Sequence, residues 1–438
     1  MVGNNTPVFF IRDPIKFPDF IHSQKRHPQT GIQDPNTAFD FWGYSPEAQH
    51  QIMILFSDRG TPYGYRHMNG YSSHTFKWVN AKGEAFLVKY HFKTAQGIKN
   101  FTNEEAAEKG KQDKDFATRD LHEALLNGGT ATWNWFVQVM PIADAETYRF
   151  DVYDVTKVWP HTDYPLQPVG KLVLNRNPEN FHAETEQSAF APSHLVPGIE
   201  PSNDKMLQGR LLNYPDTHRH RLGANYDQIP INCPYRARLG SYHVRDGPMS
   251  VNGSHGRSEN YEPRTAEGPV EDKKFAWHQE ALTGAVGRYP YSHPNDNYEQ
   301  PRALFRKVMS ETDREHLISN ISGPLSQCRR DIQERFIAHL YKVDHEYGSK
   351  VAANIGLPVQ EADQQIVQSP VTEKTEETKE IKKIESPVQV PVQIQKPFFQ
   401  QLGQLPQPFS QKVVYDDPVM GKYSVTYTVK FELEPSSQ

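Results

Sequence analysis

The clearest period-two alternation runs through residues 85–93, where Phe86, Val88, Tyr90 and Phe92 share one face and Leu87, Lys89, His91 and Lys93 the other. Residues 75–79 precede it across Asn80-Ala81-Lys82-Gly83, a hairpin turn. In residues 132–140, Trp133, Trp135, Val137 and Val139 face one way. Residues 51–56, 156–159 and 171–175 read as further strands, and the apolar run 8–11, bounded by Pro7 and Arg12-Asp13-Pro14, reads as a short buried one. Helical signals interrupt this series: Thr102 and Glu105 are spaced as a capping box, and residues 120–126 end at Gly128-Gly129. The pattern predicts an α+β fold, with a meandering antiparallel β-barrel carrying inserted helices over residues 1–177.

The periodicity then changes. Residues 178–300 are rich in Pro, Asn and His and read as a long wrapping loop, with a helix over about 206–220. Residues 301–356 form a helical domain, in which segments 302–309, 313–321 and 331–343 are amphipathic and Ile332, Phe336, Leu340 and Val343 fall at helical spacing. From Pro358 the composition turns to Glu, Lys, Gln, Thr and Pro, so 357–410 reads as a low-complexity linker. Within 411–438, residues 423–433 alternate cleanly and can pair with 412–415 as a β-hairpin of unassigned function.

With 438 residues, 36% of them hydrophobic, the chain can bury one large core and a smaller one. A formal net charge of −5 gives no electrostatic reason to expect nucleic acid or an anionic membrane surface as partner, and no apolar run approaches a membrane span. Cys233 and Cys328 are too few for a disulfide framework, and the N-terminus carries no signal-peptide pattern. An intracellular protein is expected; the terminus Ser436-Ser437-Gln438 is not an S-K-L-like address.

The candidate chemistry lies in Arg210-Leu211-Leu212-Asn213-Tyr214-Pro215-Asp216-Thr217-His218-Arg219-His220-Arg221. On a helix Arg210, Tyr214 and Arg221 form one stripe. A tyrosine hydroxyl ionises near pH 10 unless a cation stabilises the anion, and Arg210 one turn away can do so, which makes Tyr214 a candidate metal ligand. The ordinary reading of an Arg-x-x-x-Tyr pair is a core aromatic on a basic helix.

Arg-x-x-x-Tyr-x-Asp-x-x-x-x-Arg, followed by Asn232-Cys233-Pro234-Tyr235-Arg236-Ala237, resembles the proximal segment of the haem catalases, the proteins whose haem iron is held by tyrosine. The likeness continues through Gly3-Asn4-Asn5-Thr6-Pro7, Phe9-Phe10-Ile11-Arg12-Asp13, Phe17 to Arg26, Asp58-Arg59-Gly60, Arg66 to Tyr71 and Lys157-Val158-Trp159-Pro160-His161, reaching about Gly356. It implies the catalase fold and a monofunctional, NADPH-binding, small-subunit enzyme that disproportionates hydrogen peroxide to water and dioxygen. By that resemblance Tyr214 is the axial ligand of ferric, b-type haem. Arg210, Arg221, His218, Phe17, Phe9, Phe20 and Met206 surround the haem, and Asn4 is the catalytic group that donates to peroxide. It also implies an NADPH site at His50, Ser57, Arg59, Asn69, Tyr71, Lys93, Trp159, His161 and Gln300. Arg59, Lys93 and the histidines suit phosphates there, and Trp159 suits an aromatic ring. A homotetramer in peroxisome or cytoplasm follows from the same likeness.

One departure stands out. The family's distal histidine, which carries the peroxide proton, lies upstream of Asn4, and no residue from Met1 onward matches it; His22, His67 and His74 belong to other family segments. The expectation drawn is a chain lacking the family's N-terminal segment, with a barrel incomplete at that end. The alternatives are a catalase-derived haem-binding protein with little or no activity and an enzyme that rearranges fatty-acid hydroperoxides.

Overall fold

A computed structural model describes residues 4–232, 261, 265, 276–279 and 296–358, and the backbone of 409–417 and 421–429. In chain order the elements are α1 (Phe17–Ser23), α2 (Pro35–Gly43), α3 (Gln49–Phe56), β1 (Gly70–Tyr71), β2 (Phe76–Val79), β3 (Ala85–Thr94), α4 (Asn103–Gln112), α5 (Phe116–Leu126), β4 (Ala131–Pro141), α6 (Ile142–Ala145), β5 (Gln167–Leu174), β6 (Ile199–Pro201), α7 (Lys205–Leu222), α8 (Glu299–Ala303), α9 (Glu311–Ser326), α10 (Arg330–Val343), α11 (His345–Asn354), β7 (Phe409–Asp417) and β8 (Gly421–Val429). The chain divides into two compact units, Met1–Gln368 and Ser369–Gln438.

The sheet of the first unit is antiparallel and six-stranded, in the order β5-β4-β3-β2-β6, with β1 on β3. The expected barrel is therefore an open sheet among the described residues; β5 is solvent-facing along most of its length, with Val169 and Leu172 each 44% exposed. The predicted hairpin is present, Val79 pairing with Ala85 and Gly83 taking φ 80°. Both faces of β3 are covered, so Lys89 and His91 are as buried as Leu87 and Val88.

Three strand expectations fail for separate reasons. Residues 51–56 belong to helix α3, because a contiguous apolar run fits a helix buried all round as well as a strand. Here Ile52 and Met53 join the helical core. Residues 156–159 leave a turn at 154–157 without forming a strand; there Asp154 Oδ1 accepts from the Thr156 N–H (2.8 Å) and hydroxyl (2.6 Å) and diverts the backbone from a ladder. Residues 8–11 are irregular, joined to the rest through Phe9 N–H to the Val155 carbonyl (3.1 Å).

The helical part packs α2, α3, α9, α10 and α11 around Phe39, Trp42, Phe305, Leu317, Phe336 and Tyr347. The expected helix over 302–309 is α8 followed by one π-turn, Leu304–Val308. A file of aromatic rings joins this core to the N-terminal segment. Phe9 meets Phe10 edge-on at 5.7 Å, Phe10 stacks on Trp42 at 5.9 Å, Trp42 meets Phe39 at 5.2 Å, and Phe39 meets Phe336 at 4.9 Å. The second unit contains the β7–β8 hairpin, in register Lys412↔Thr426 and Tyr415↔Tyr423. Most of the expected linker, and most of the wrapping loop beyond residue 232, lie outside the described residues.

Candidate active site

Helix α7 begins where Asp204 Oδ1 accepts from Leu207 N–H (3.0 Å), and it presents Met206, Arg210 and Tyr214 at four-residue intervals. Arg210 Nη2 donates to Tyr214 Oη at 2.5 Å, and Arg210 Nη1 lies 2.7 Å from His74 Nε2. His74 Nδ1 lies 2.7 Å from Asp204 Oδ2. A guanidinium only donates, so His74 Nε2 must accept and His74 Nδ1–H must donate to Asp204. A hydrogen-bonded file therefore runs from a buried carboxylate to the tyrosine oxygen. Sequence reasoning left His74 and Asp204 out because no local pattern joins residues 136 and 130 positions apart.

The same helix also carries, through Met206, part of an apolar wall. Met206 packs with Ile11, Phe20 and Val155, and Phe9 and Phe17 pack against them. Phe9 and Phe17 are near parallel, with centroids 6.4 Å apart, and Phe9 meets Phe20 edge-on at 5.5 Å. Gly209 lets the Pro14 ring lie against α7, since a Cβ there would lie 2.7 Å from Pro14 Cβ. Further along α7, His218 Nε2 is 2.9 Å from the Phe190 carbonyl, and the exposed Arg221 donates to the carbonyls of Glu186 (2.5 Å) and Ser188 (2.9 Å). The donor set fits an iron held by tyrosine: the Tyr214 oxygen keeps a lone pair beyond the one Arg210 takes, and the apolar cluster of Met206, Phe9, Phe17 and Phe20 begins one to two turns earlier on the same helix.

Asn4 bridges to Tyr71 through both backbone groups, N–H to O at 2.9 Å and O to H–N at 2.8 Å. Its Nδ2 donates to Ser73 Oγ at 3.2 Å. His22 and His67 each meet a backbone carbonyl, Pro18 at 2.7 Å and Gly97 at 3.0 Å, so neither joins this cluster.

The set expected to hold NADPH is partly gathered. Tyr71 Oη accepts from Asn69 Nδ2 and from Lys93 Nζ, both at 3.1 Å, and Lys93 sits 4.7 Å from the Tyr71 ring centroid. Burial opposes ionisation of Tyr71, but the Lys93 and Arg59 cations, with the bonds from Lys93 and Asn69, hold it below the ordinary phenol value. Beside it, His91 lies 5.6 Å from Tyr71 and 5.9 Å from the exposed His161. Burial pushes His91 down to about 3 and His50 to about 4, so both are neutral hydrogen-bonding groups near pH 7, not cations for a phosphate. Each keeps a buried Nδ1 without a partner. Arg59 and Asn5 hold each other through side chain and carbonyl (3.2 and 3.5 Å), while Ser57 Oγ donates to Ile54 O at 2.8 Å. Gln300 uses both ends on the Val158 backbone at 2.9 Å, and Trp159, 1% exposed, is a core residue beside Leu87, Met140 and Phe150 with no ring face for a ligand.

The sequence model of the Catalase family matches residues 1–268, and that of the Catalase-related immune-responsive family matches 291–355. The chain is 59% identical over 360 residues to a peroxisomal catalase of Toxoplasma gondii, an alignment covering 82% of this chain and 72% of that protein. It is 54% identical over 361 residues to catalase-A of Dictyostelium discoideum, covering 82% and 73%. Among solved structures it resembles a fungal catalase (TM-score 0.76, 44% identity, 81% of this chain and 72% of that one). Catalase A from Saccharomyces cerevisiae is as near (TM-score 0.76, 44% identity, 81% and 74%).

Proposed function

The chain belongs to the catalase family and is a haem catalase that decomposes hydrogen peroxide, and from that premise we propose that Tyr214 would hold the haem iron and Asn4 would be the donor that orients peroxide. The observation that carries the reading is the file Asp204–His74–Arg210–Tyr214, which delivers a guanidinium to the tyrosine oxygen at 2.5 Å. Bound haem supplies the two-electron redox chemistry of the reaction. The chain's own part is positional and electrostatic. Arg210 donates to the Tyr214 oxygen and orients it, and Asp204, through His74, keeps that guanidinium from rotating away. Phe9, Phe17, Phe20 and Met206 pack as one apolar cluster that would exclude water from a bound haem and so strengthen the polar contacts beside it. Asn4 would present an amide N–H to an oxygen of peroxide, and His218 and Arg221, now held on the Phe190, Glu186 and Ser188 carbonyls, would help hold the haem's edge. Tyr214→Phe should lose the haem absorption band or all oxygen evolution; a variant retaining both sinks the assignment.

We extend the reading to NADPH, supported by the positive site at Arg59, Lys93 and Tyr71 and by the unpartnered ring nitrogens of His50 and His91. Asn69 and His161 add polar groups at the surface, and the buried Ser57 lies beneath with its hydroxyl on the Ile54 carbonyl. Trp159 and Gln300 contribute through the backbone they hold, not as ligand contacts. Titrating NADPH fluorescence against wild type and Lys93→Met tests this: equal affinities remove Lys93 from the site. A homotetramer located in peroxisome or cytoplasm belongs to the same reading; light scattering of the purified protein and imaging of a tagged chain are the checks.

A further inference from the structure

Ser72-Ser73-His74 makes a turn of an uncommon kind. The His74 N–H donates to the Ser72 carbonyl at 2.6 Å, so Ser73 is the centre of a three-residue turn. With φ 56° it is the single non-glycine residue of positive φ among the described residues, in a geometry that is rare and strained. Strain of this sort persists only where the surroundings over-determine it. Here they do. The Lys89 ammonium, buried at 4% exposure, donates to the Ser73 carbonyl (3.0 Å) and the Lys157 carbonyl (3.1 Å). Ser72 Oγ donates to His74 O (2.9 Å) and accepts from Tyr90 N–H (3.1 Å).

The turn sends adjacent side chains to different partners. His74 reaches Arg210 and so Tyr214; Ser73 reaches Asn4. The Ser73 hydroxyl donates its one proton to the Thr6 carbonyl at 3.0 Å. Toward Asn4 it can therefore only accept, which forces the nitrogen end of that amide to face it at 3.2 Å. One Asn4 N–H is fixed on Ser73, and the other is thereby aimed.

We propose that Ser73 is a positioning residue for the peroxide reaction: its hydroxyl, held in a strained turn closed by Lys89, sets the rotamer and the amide end of Asn4. This rests on the reading of Asn4 as the group that meets peroxide. Ser73 itself touches no reactant.

The test is a double-mutant cycle on the full haem-loaded chain with Ser73→Ala, Asn4→Ala and the pair. The readouts are kcat, KM and the affinity for cyanide taken from the haem absorption band. Ser73→Ala should lower kcat about three- to tenfold, the scale of one lost orienting hydrogen bond, and weaken cyanide binding by a similar factor with little change in KM. The double variant should be no slower than Asn4→Ala. Independent, multiplying losses overturn the proposal, as does a Ser73→Ala enzyme with the parent's kcat. If Asn4→Ala leaves kcat unchanged, the reading of Asn4 falls first and takes this inference with it. Should Ser73→Ala fail to fold, Ser73→Gly carries the test, because glycine relaxes the positive φ while removing the hydroxyl. It should melt no lower than the parent yet turn over more slowly, whereas a merely structural serine predicts no loss of rate.

Discussion

Asp204→Asn separates two tasks that one carboxylate performs. Its Oδ1 accepts from Leu207 N–H at the start of α7 (3.0 Å), and its Oδ2 accepts from His74 Nδ1 (2.7 Å). Asparagine has one acceptor oxygen. If that oxygen keeps the cap, the amide NH2 faces His74 Nδ1 and drives the ring proton to Nε2, into the Arg210 N–H 2.7 Å away. Two bonds involving charged groups are then lost, at about 1.5 to 3 kcal/mol each. If instead the oxygen keeps His74, the NH2 faces Leu207 N–H and only the cap is lost, about 1 kcal/mol. The second arrangement is cheaper, so the variant should lose about 1 to 2 kcal/mol in denaturant unfolding. A neutral acceptor is about half as strong as a charged one, so Arg210 is held more loosely and peroxide turnover should fall about five- to tenfold. Ultraviolet decay of peroxide beside an unfolding curve reads both. A variant as stable and as fast as the parent refutes the claim that Asp204 sets the His74 tautomer.

Gly209→Ala puts a methyl 2.7 Å from Pro14 Cβ, and since the proline ring cannot swing aside, a loss of about 1 to 3 kcal/mol and weaker haem retention are expected from a melting curve and the haem band. His316 donates to Asp58 at 2.7 Å, and this bond raises its pKa above the ordinary 6.5; the associated stability is complete below that value and is lost as pH rises through the raised one. His316→Asn should flatten that slope in melting temperatures taken from pH 6 to 9. Burial holds His50 near 4, so the unfolded chain takes up a proton between 6.5 and 4 that the folded chain refuses, and stability should fall with pH across that window; His50→Gln should lessen the fall.

The strands at 75–79, 85–93 and 132–140 were legible from their alternation and flanking turn residues, and α7 because Arg210, Tyr214 and Arg221 fall on one helical stripe. Residues 51–56 were not, since Ile52-Met53-Ile54-Leu55-Phe56 carries no period to choose between helix and strand. At the site, the Arg210–Tyr214 pair was visible as a one-turn spacing. His74, Ser73 and Lys89 were invisible for the opposite reason: their roles arise from contacts across long stretches of chain, and a lysine in alternation gives no sign that its ammonium will be buried on two carbonyls. Trp159 was read as an aromatic suited to a ligand, and its burial in the core was not legible because the same side chain suits either place.

The file of rings from Phe9 through Phe10, Trp42 and Phe39 to Phe336 has a thermodynamic consequence. The wall of the candidate haem pocket and the centre of the helical core share neighbours ring by ring, so neither can loosen while the other stays packed. Heating should therefore take both through one calorimetric transition. Cutting the chain before α8 would cost the pocket as well as the helices.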